Sequence, residues 1–176
     1  MPGPQALETT VLGGIRIALR RTAGEGDPVV FVHGNPSSSF DWVPFMERLR
    51  RPAIAFDLPG FGASERPSAD RFDFSMQAYA GWIGTAFDEL GLERFGLLVH
   101  DWGAIALQPA SERPERVERL AVINAVPLFA GYRWHWVARL WRSRFGEASM
   151  RGNSKAAFAA ALRLARPGRR RCRRPG

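Results

Sequence analysis

Short apolar runs recur along the first two thirds of the chain, separated by stretches with helical spacing. Pro28-Val29-Val30-Phe31-Val32 and Ala53-Ile54-Ala55-Phe56 are continuous apolar segments. A run of that length without polar alternation predicts a strand buried on both faces, as in a parallel sheet. Residues 95–100 read as another strand and 117–124 as a further one. Between these strands, residues 40–49 place Trp42, Phe45, Met46 and Leu49 at helical intervals. Further helices are predicted over about 75–90 and 102–112, with Ser75 a suitable N-cap and Gly91 a suitable C-terminal stop. Upstream, residues 11–19 with Gly13-Gly14 inside them predict a hairpin, because the glycines permit the positive φ angles of a tight turn. The alternation of buried strand and amphipathic helix predicts an α/β fold, a mostly parallel sheet with flanking helices on both faces. No internal repeat interrupts it.

From residue 127 the pattern changes. Tyr132, Trp134, His135, Trp136, Leu140 and Trp141 mark an aromatic-rich helical segment, and residues 156–165 read as another short helix. The end, 166–176, has no apolar periodicity and is expected to be disordered. The expected organisation is a core over 1–126, a partial helical cap over 127–165 and an arginine-rich tail over 166–176.

Composition changes this picture in one respect. The net charge of +8 suggests a polyanion-binding protein until it is mapped. Arg163, Arg166, Arg169, Arg170, Arg171, Arg173 and Arg174 supply seven positive charges with no acid beyond them, so residues 1–162 carry 18 basic and 17 acidic residues. The body is near neutral, and a specific nucleic-acid partner is not expected. The length of 176 residues and a hydrophobic share of 45% suit one domain or most of one. Cys172 is the sole cysteine, which excludes an intramolecular disulfide. The start, Met1-Pro2-Gly3-Pro4-Gln5, has neither a basic region nor an apolar run, and no stretch reaches the roughly 18 apolar residues of a membrane span. A cytoplasmic protein without membrane partners is the expectation. No cofactor or metal is expected: no His/Cys/Asp cluster has ligand spacing, and Gly60-Phe61-Gly62 lacks the helix-opening glycine of a nucleotide loop.

The candidate chemistry lies where strands meet loops. Leu97-Leu98-Val99-His100-Asp101-Trp102-Gly103 places an ionisable residue between an apolar strand and a helix. Esterases of this architecture carry serine on a strained turn in G-x-S-x-G. Here the position holds Asp101, with Val99 in place of the first glycine. A carboxylate suits attack on an sp³ carbon with formation of an ester. Asp101 also suits a plain helix N-cap. The second segment, Phe31-Val32-His33-Gly34-Asn35-Pro36, has the form of an oxyanion loop, with Gly34 allowing a sharp turn after the strand. Asn35 brings an amide N–H₂ and Trp102 an indole N–H with no acceptor function, two donors suited to a departing halide. Each also has an ordinary reading, Asn35 as a turn residue and Trp102 as core packing.

With Asp57-Leu58-Pro59-Gly60-Phe61-Gly62-Ala63-Ser64, these motifs stand in order over residues 10–125. Together they resemble the α/β-hydrolase fold, in its haloalkane dehalogenase and epoxide hydrolase branch. Asn35 and Val99 resemble the dehalogenases more. The resemblance implies Asp101 as nucleophile, Asn35 and Trp102 as halide-binding pair, and His33 and Gly34 as oxyanion loop. It implies a small apolar substrate, a halogenated alkane or alternatively an epoxide. It also implies a histidine base and an acid after the nucleophile. Of His33, His100 and His135, none stands in the base position, and Asn124 stands where one subgroup has its acid. The family has about eight strands and six are readable here, so the chain reads as C-terminally truncated or frameshifted. A catalytically incomplete remnant or binding module is the other functional expectation. Tyr132 and Tyr79 are the tyrosines available for an epoxide reading, and the aromatics around Trp134 to Phe145 read either as pocket lining or as cap packing.

Overall fold

The computed structural model describes residues 6–126, 139 and 143–146. The chain divides into two compact units, Met1–Pro127 and Leu128–Gly176. The first unit holds a six-stranded sheet in the order β1-β2-β4-β3-β5-β6. Its strands are β1 (Glu8–Leu12), β2 (Ile15–Thr22), β3 (Val29–Val32), β4 (Ala53–Phe56), β5 (Phe95–His100) and β6 (Val117–Ile123). β3 pairs parallel with β4 and β5, and β5 with β6. β1–β2 and β2–β4 are antiparallel. The predicted hairpin is present, and Gly13 and Gly14 take φ of 54° and 72° in its two-residue turn.

The apolar runs of β3 and β4 separate onto two faces because successive side chains alternate. Val30, Val32, Ile54 and Phe56 enter the larger core with Ile17, Leu19, Ile83, Phe87 and Leu97. Phe31, Ala53 and Ala55 face a smaller cluster with Trp42 and Met46. The larger face is covered by α2 (Met76–Glu89), which Ser75 caps by accepting the Ala78 N–H at 3.0 Å. Gly91, at φ 66°, ends it as expected, its N–H donating to the Asp88 carbonyl.

Three elements differ from the sequence reading. Over 40–49 the chain forms a 3₁₀ turn, Ser39–Trp42, and a single α-turn, α1 (Val43–Met46). Pro44 lacks the N–H that a longer helix needs there. Over 102–112 a 3₁₀ stretch, Asp101–Ala106, precedes α3 (Leu107–Glu112). β6 forms as a strand, but among the described residues it is the outer one, and it is exposed from Arg119 onward, with Leu120 at 53% and Val122 at 48%. The aromatic segment from Tyr132 to Trp141, the helix over 156–165 and the tail over 166–176 lie outside the described residues, Arg139 excepted. Phe145 is exposed, under the Arg144 guanidinium at 4.8 Å. No helix among the described residues is long and apolar enough to cross a membrane.

Candidate active site

The register of the parallel strands brings their C-terminal ends to one edge. Val32 lies opposite Phe56 on one side and Val99 on the other. The residues that follow these strands, His33, Asp57 and Asp101, therefore emerge side by side, at the edge where ligands bind in open α/β sheets.

Asp101 sits at the bend between β5 and the 3₁₀ stretch, with φ 50°. Positive φ is strained for a residue with a Cβ, and such strain concentrates at functional turns. Tight packing holds the bend in place. A Cβ on Gly103 would stand 2.3 Å from the Val32 carbonyl oxygen, so only glycine lets the elbow approach β3 this closely. A Cβ on Gly34 would stand 2.4 Å from the Asp101 Cβ. That contact lets the backbone N–H of Asn35 donate to Asp101 Oδ1 at 2.9 Å. The second carboxylate oxygen, Oδ2, has no hydrogen-bond partner among the described residues. Asp101 is half-buried and Asn35 is exposed.

His33 is fully buried. Its Nε2 accepts the Leu58 N–H at 3.0 Å, which leaves Nδ1 to carry the proton and donate to the Gly34 carbonyl at 2.8 Å. Burial lowers its pKa below the ordinary histidine value, against the opposing effects of the Gly34 carbonyl and the Asp57 charge. The ring thus joins the 33–37 loop to the 57–64 loop with both nitrogens used. Asp57 completes the join and was not singled out from sequence. It is buried, its Oδ1 accepting the Ser39 N–H at 2.7 Å and its Oδ2 the Ala63 N–H at 2.8 Å. The available signal was a lone carboxylate directly after a fully apolar strand.

Beside this frame lies a cavity of about 180 Å³, lined by Asn35, Leu58, Phe61, Phe74, Tyr79, Trp102 and Ile105. It holds both predicted donors, Asn35 and Trp102. Asp101 is not itself a lining residue and adjoins the cavity through these two neighbours. Trp102 also packs against the main core, so its two sequence readings are compatible. Phe61 and Phe74 are lining residues that periodicity did not mark, since both lie in loops. The Tyr79 hydroxyl donates to the Pro59 carbonyl at 2.9 Å, and burial pushes its pKa up to about 12. His100 lies edge-on to Trp42, beside the smaller cluster, with ring centroids 6.3 Å apart. Asn124 follows β6 at φ 42°. Tyr132 and His135 fall outside the described residues. Among the described residues, no group of three or more His, Cys, Asp or Glu side chains is placed to hold a metal ion.

A strand-to-helix elbow at the end of a mostly parallel sheet, facing the loop whose Asn35 N–H donates to Asp101, defines the class. Residues 27–163 match the family described as alpha/beta hydrolase fold, and the chain belongs to that family. Within it, the chain is similar to haloalkane dehalogenases among others. A haloalkane dehalogenase of Psychrobacter cryohalolentis is 36% identical over 106 residues, 58% of this chain and 35% of that protein. A cis-3-alkyl-4-alkyloxetan-2-one decarboxylase of Shewanella oneidensis is 36% identical over 105 residues, 57% of this chain and 33% of that protein. The crystal structure of a haloalkane dehalogenase from Agrobacterium tumefaciens C58 superposes with a TM-score of 0.73 at 27% identity, covering 89% of this chain and 55% of the other. An epoxide hydrolase from Vigna radiata shares the fold, with a TM-score of 0.74 at 22% identity, covering 93% of this chain and 55% of that one. The chain spans about a third of the length of the curated relatives it matches.

Proposed function

We propose that this chain carries the ester-forming chemistry of a haloalkane dehalogenase-like hydrolase, with Asp101 as nucleophile. The observation that carries the proposal is the Asn35 N–H on Asp101 Oδ1 at 2.9 Å, at a strained bend, beside an apolar cavity shared by Asn35 and Trp102. The bond fixes one carboxylate oxygen and leaves Oδ2 to attack. A carbon–oxygen bond forms as the carbon–halogen bond breaks, and the halide departs with the bonding pair. The Asn35 amide and the Trp102 indole N–H then donate to the halide at the mouth of the apolar cavity. His33 and Gly34 serve by shaping the loop rather than by moving a proton, because both ring nitrogens of His33 are occupied.

The substrate class supported is a small apolar molecule with a halide leaving group. An epoxide is the second reading, and the geometry favours it less. Ring opening needs an acid on the epoxide oxygen, and the Tyr79 hydroxyl is already bound to Pro59. The decarboxylase relative adds a four-membered lactone to the compounds worth testing.

The test is incubation with 1-bromobutane, read by intact mass and bromide release. The expected result is one butyl group per chain with one bromide per adduct. The adduct should persist, because both ring nitrogens of His33 are occupied and the His100 ring packs edge-on to Trp42. An adduct with a short epoxide and none with bromoalkanes would reverse the order of the two readings. Neither adduct nor halide with bromoalkanes, epoxide or lactone would leave the binding-module reading.

A further inference from the structure

We propose that Phe74 sets the length of substrate that reaches the site. This rests on reading the cavity beside Asn35 and Trp102 as the substrate pocket. Phe74 lines that cavity, and its backbone is held from both sides. On one side Asp73 Oδ1 accepts the Ser75 N–H at 2.8 Å, and on the other the Ser75 hydroxyl caps α2. Between these ties Phe74 adopts φ 57°, a region in which a bulky side chain is uncommon. The strain is retained and the ring stays on the cavity wall.

The ring also has little freedom to swing aside. It stands edge-on to Phe72 with centroids 5.2 Å apart and lies 6.4 Å from the Tyr79 ring. A Cβ on Gly60 would come within 3.0 Å of Phe74 Cε1, so the 57–64 loop is pressed against it. The exposed Arg66 guanidinium lies over the ring at 5.9 Å from its centroid. Phe74 is itself half-buried, between the cavity it lines and the exposed Arg66. The cavity is small, about 180 Å³, and the Phe74 ring is part of its wall, so a longer alkyl chain meets the ring where a short one does not.

The experiment compares alkylation by 1-bromobutane and 1-bromooctane, followed by intact mass, in the unaltered chain, Phe74→Gly and Phe74→Leu. Glycine relieves the positive φ and removes the ring, while leucine keeps an apolar side chain if the glycine form fails to fold. The unaltered chain should react about tenfold or more faster with the shorter compound. In Phe74→Gly the two rates should come within about threefold, with Phe74→Leu between. Equal rates in the unaltered chain, or an unchanged ratio in a folded variant, would overturn the role of Phe74 alone. Absence of any adduct in all three forms would overturn the pocket reading and this inference with it.

Discussion

Asp101, Gly34 and His33 show how few atoms hold the candidate site together. The Asp101 bend is tolerable only because Gly34 and Gly103 let two backbone segments approach within distances that no Cβ permits. Gly34→Ala must displace the Asp101 side chain or the loop that carries the Asn35 N–H. It is expected to cost about 2–3 kcal/mol of stability, the upper range for an overpacked core, and to abolish alkylation. Denaturant unfolding together with adduct yield checks both. His33 makes a pH prediction. Its folded pKa is lowered by burial, so near and below the ordinary value of 6.5 the unfolded chain binds more protons. Its contribution to stability is therefore full above about 6.5 and is lost as pH falls through the lowered folded value. Melting temperature should fall between pH 7.5 and 5.5, and His33→Asn should remove part of that slope. An identical slope in the variant would contradict the neutral, doubly bonded ring. At this scale the sequence disclosed Asp101, Asn35, Trp102, His33 and Gly34 as candidates, because each sits in a short local motif. The His33 tautomer, the clasp at Asp57 and the Phe74 wall depend on residues distant in sequence, which no local pattern records.

Elements with strong local signals form where the pattern predicts. β3, β4 and β5 are continuous apolar runs that only a doubly covered position accommodates, and α2 has both its cap and its glycine stop. The antiparallel pairing of β2 with β4 is a choice of partner and leaves no mark in either strand. The 3₁₀ stretch after Asp101 arises because the elbow fixes its first residue in a positive-φ turn, which helical spacing does not reveal. β6 teaches the reverse lesson. Its composition predicts burial, yet Leu120, Val122 and Ile123 are exposed on an outer strand. An open strand edge with apolar side chains promotes association. Val122→Lys should lower the self-association measured by light scattering and leave the melting temperature unchanged. Undiminished association would show that β6 is not the responsible surface.

At the level of the whole molecule, charge and chemistry occupy different parts of the chain. Residues 1–162 hold 18 basic and 17 acidic residues, while seven arginines stand beyond them. Binding to a polyanion is thus predicted to be electrostatic, steeply salt-dependent and separable from the site. Deleting residues 166–176 should abolish retention on an anionic resin and leave alkylation intact. Retention by the shortened chain would place the basic surface elsewhere. The candidate site lies within the first compact unit, at the ends of three adjacent strands. The proposed step is attack of the Asp101 carboxylate on carbon, and the most direct measurement is the position of the alkyl group after reaction with 1-bromobutane. Peptide mapping should place it on Asp101, with none in Asp101→Asn. An alkyl group on another residue, or an equal yield in Asp101→Asn, would contradict the account.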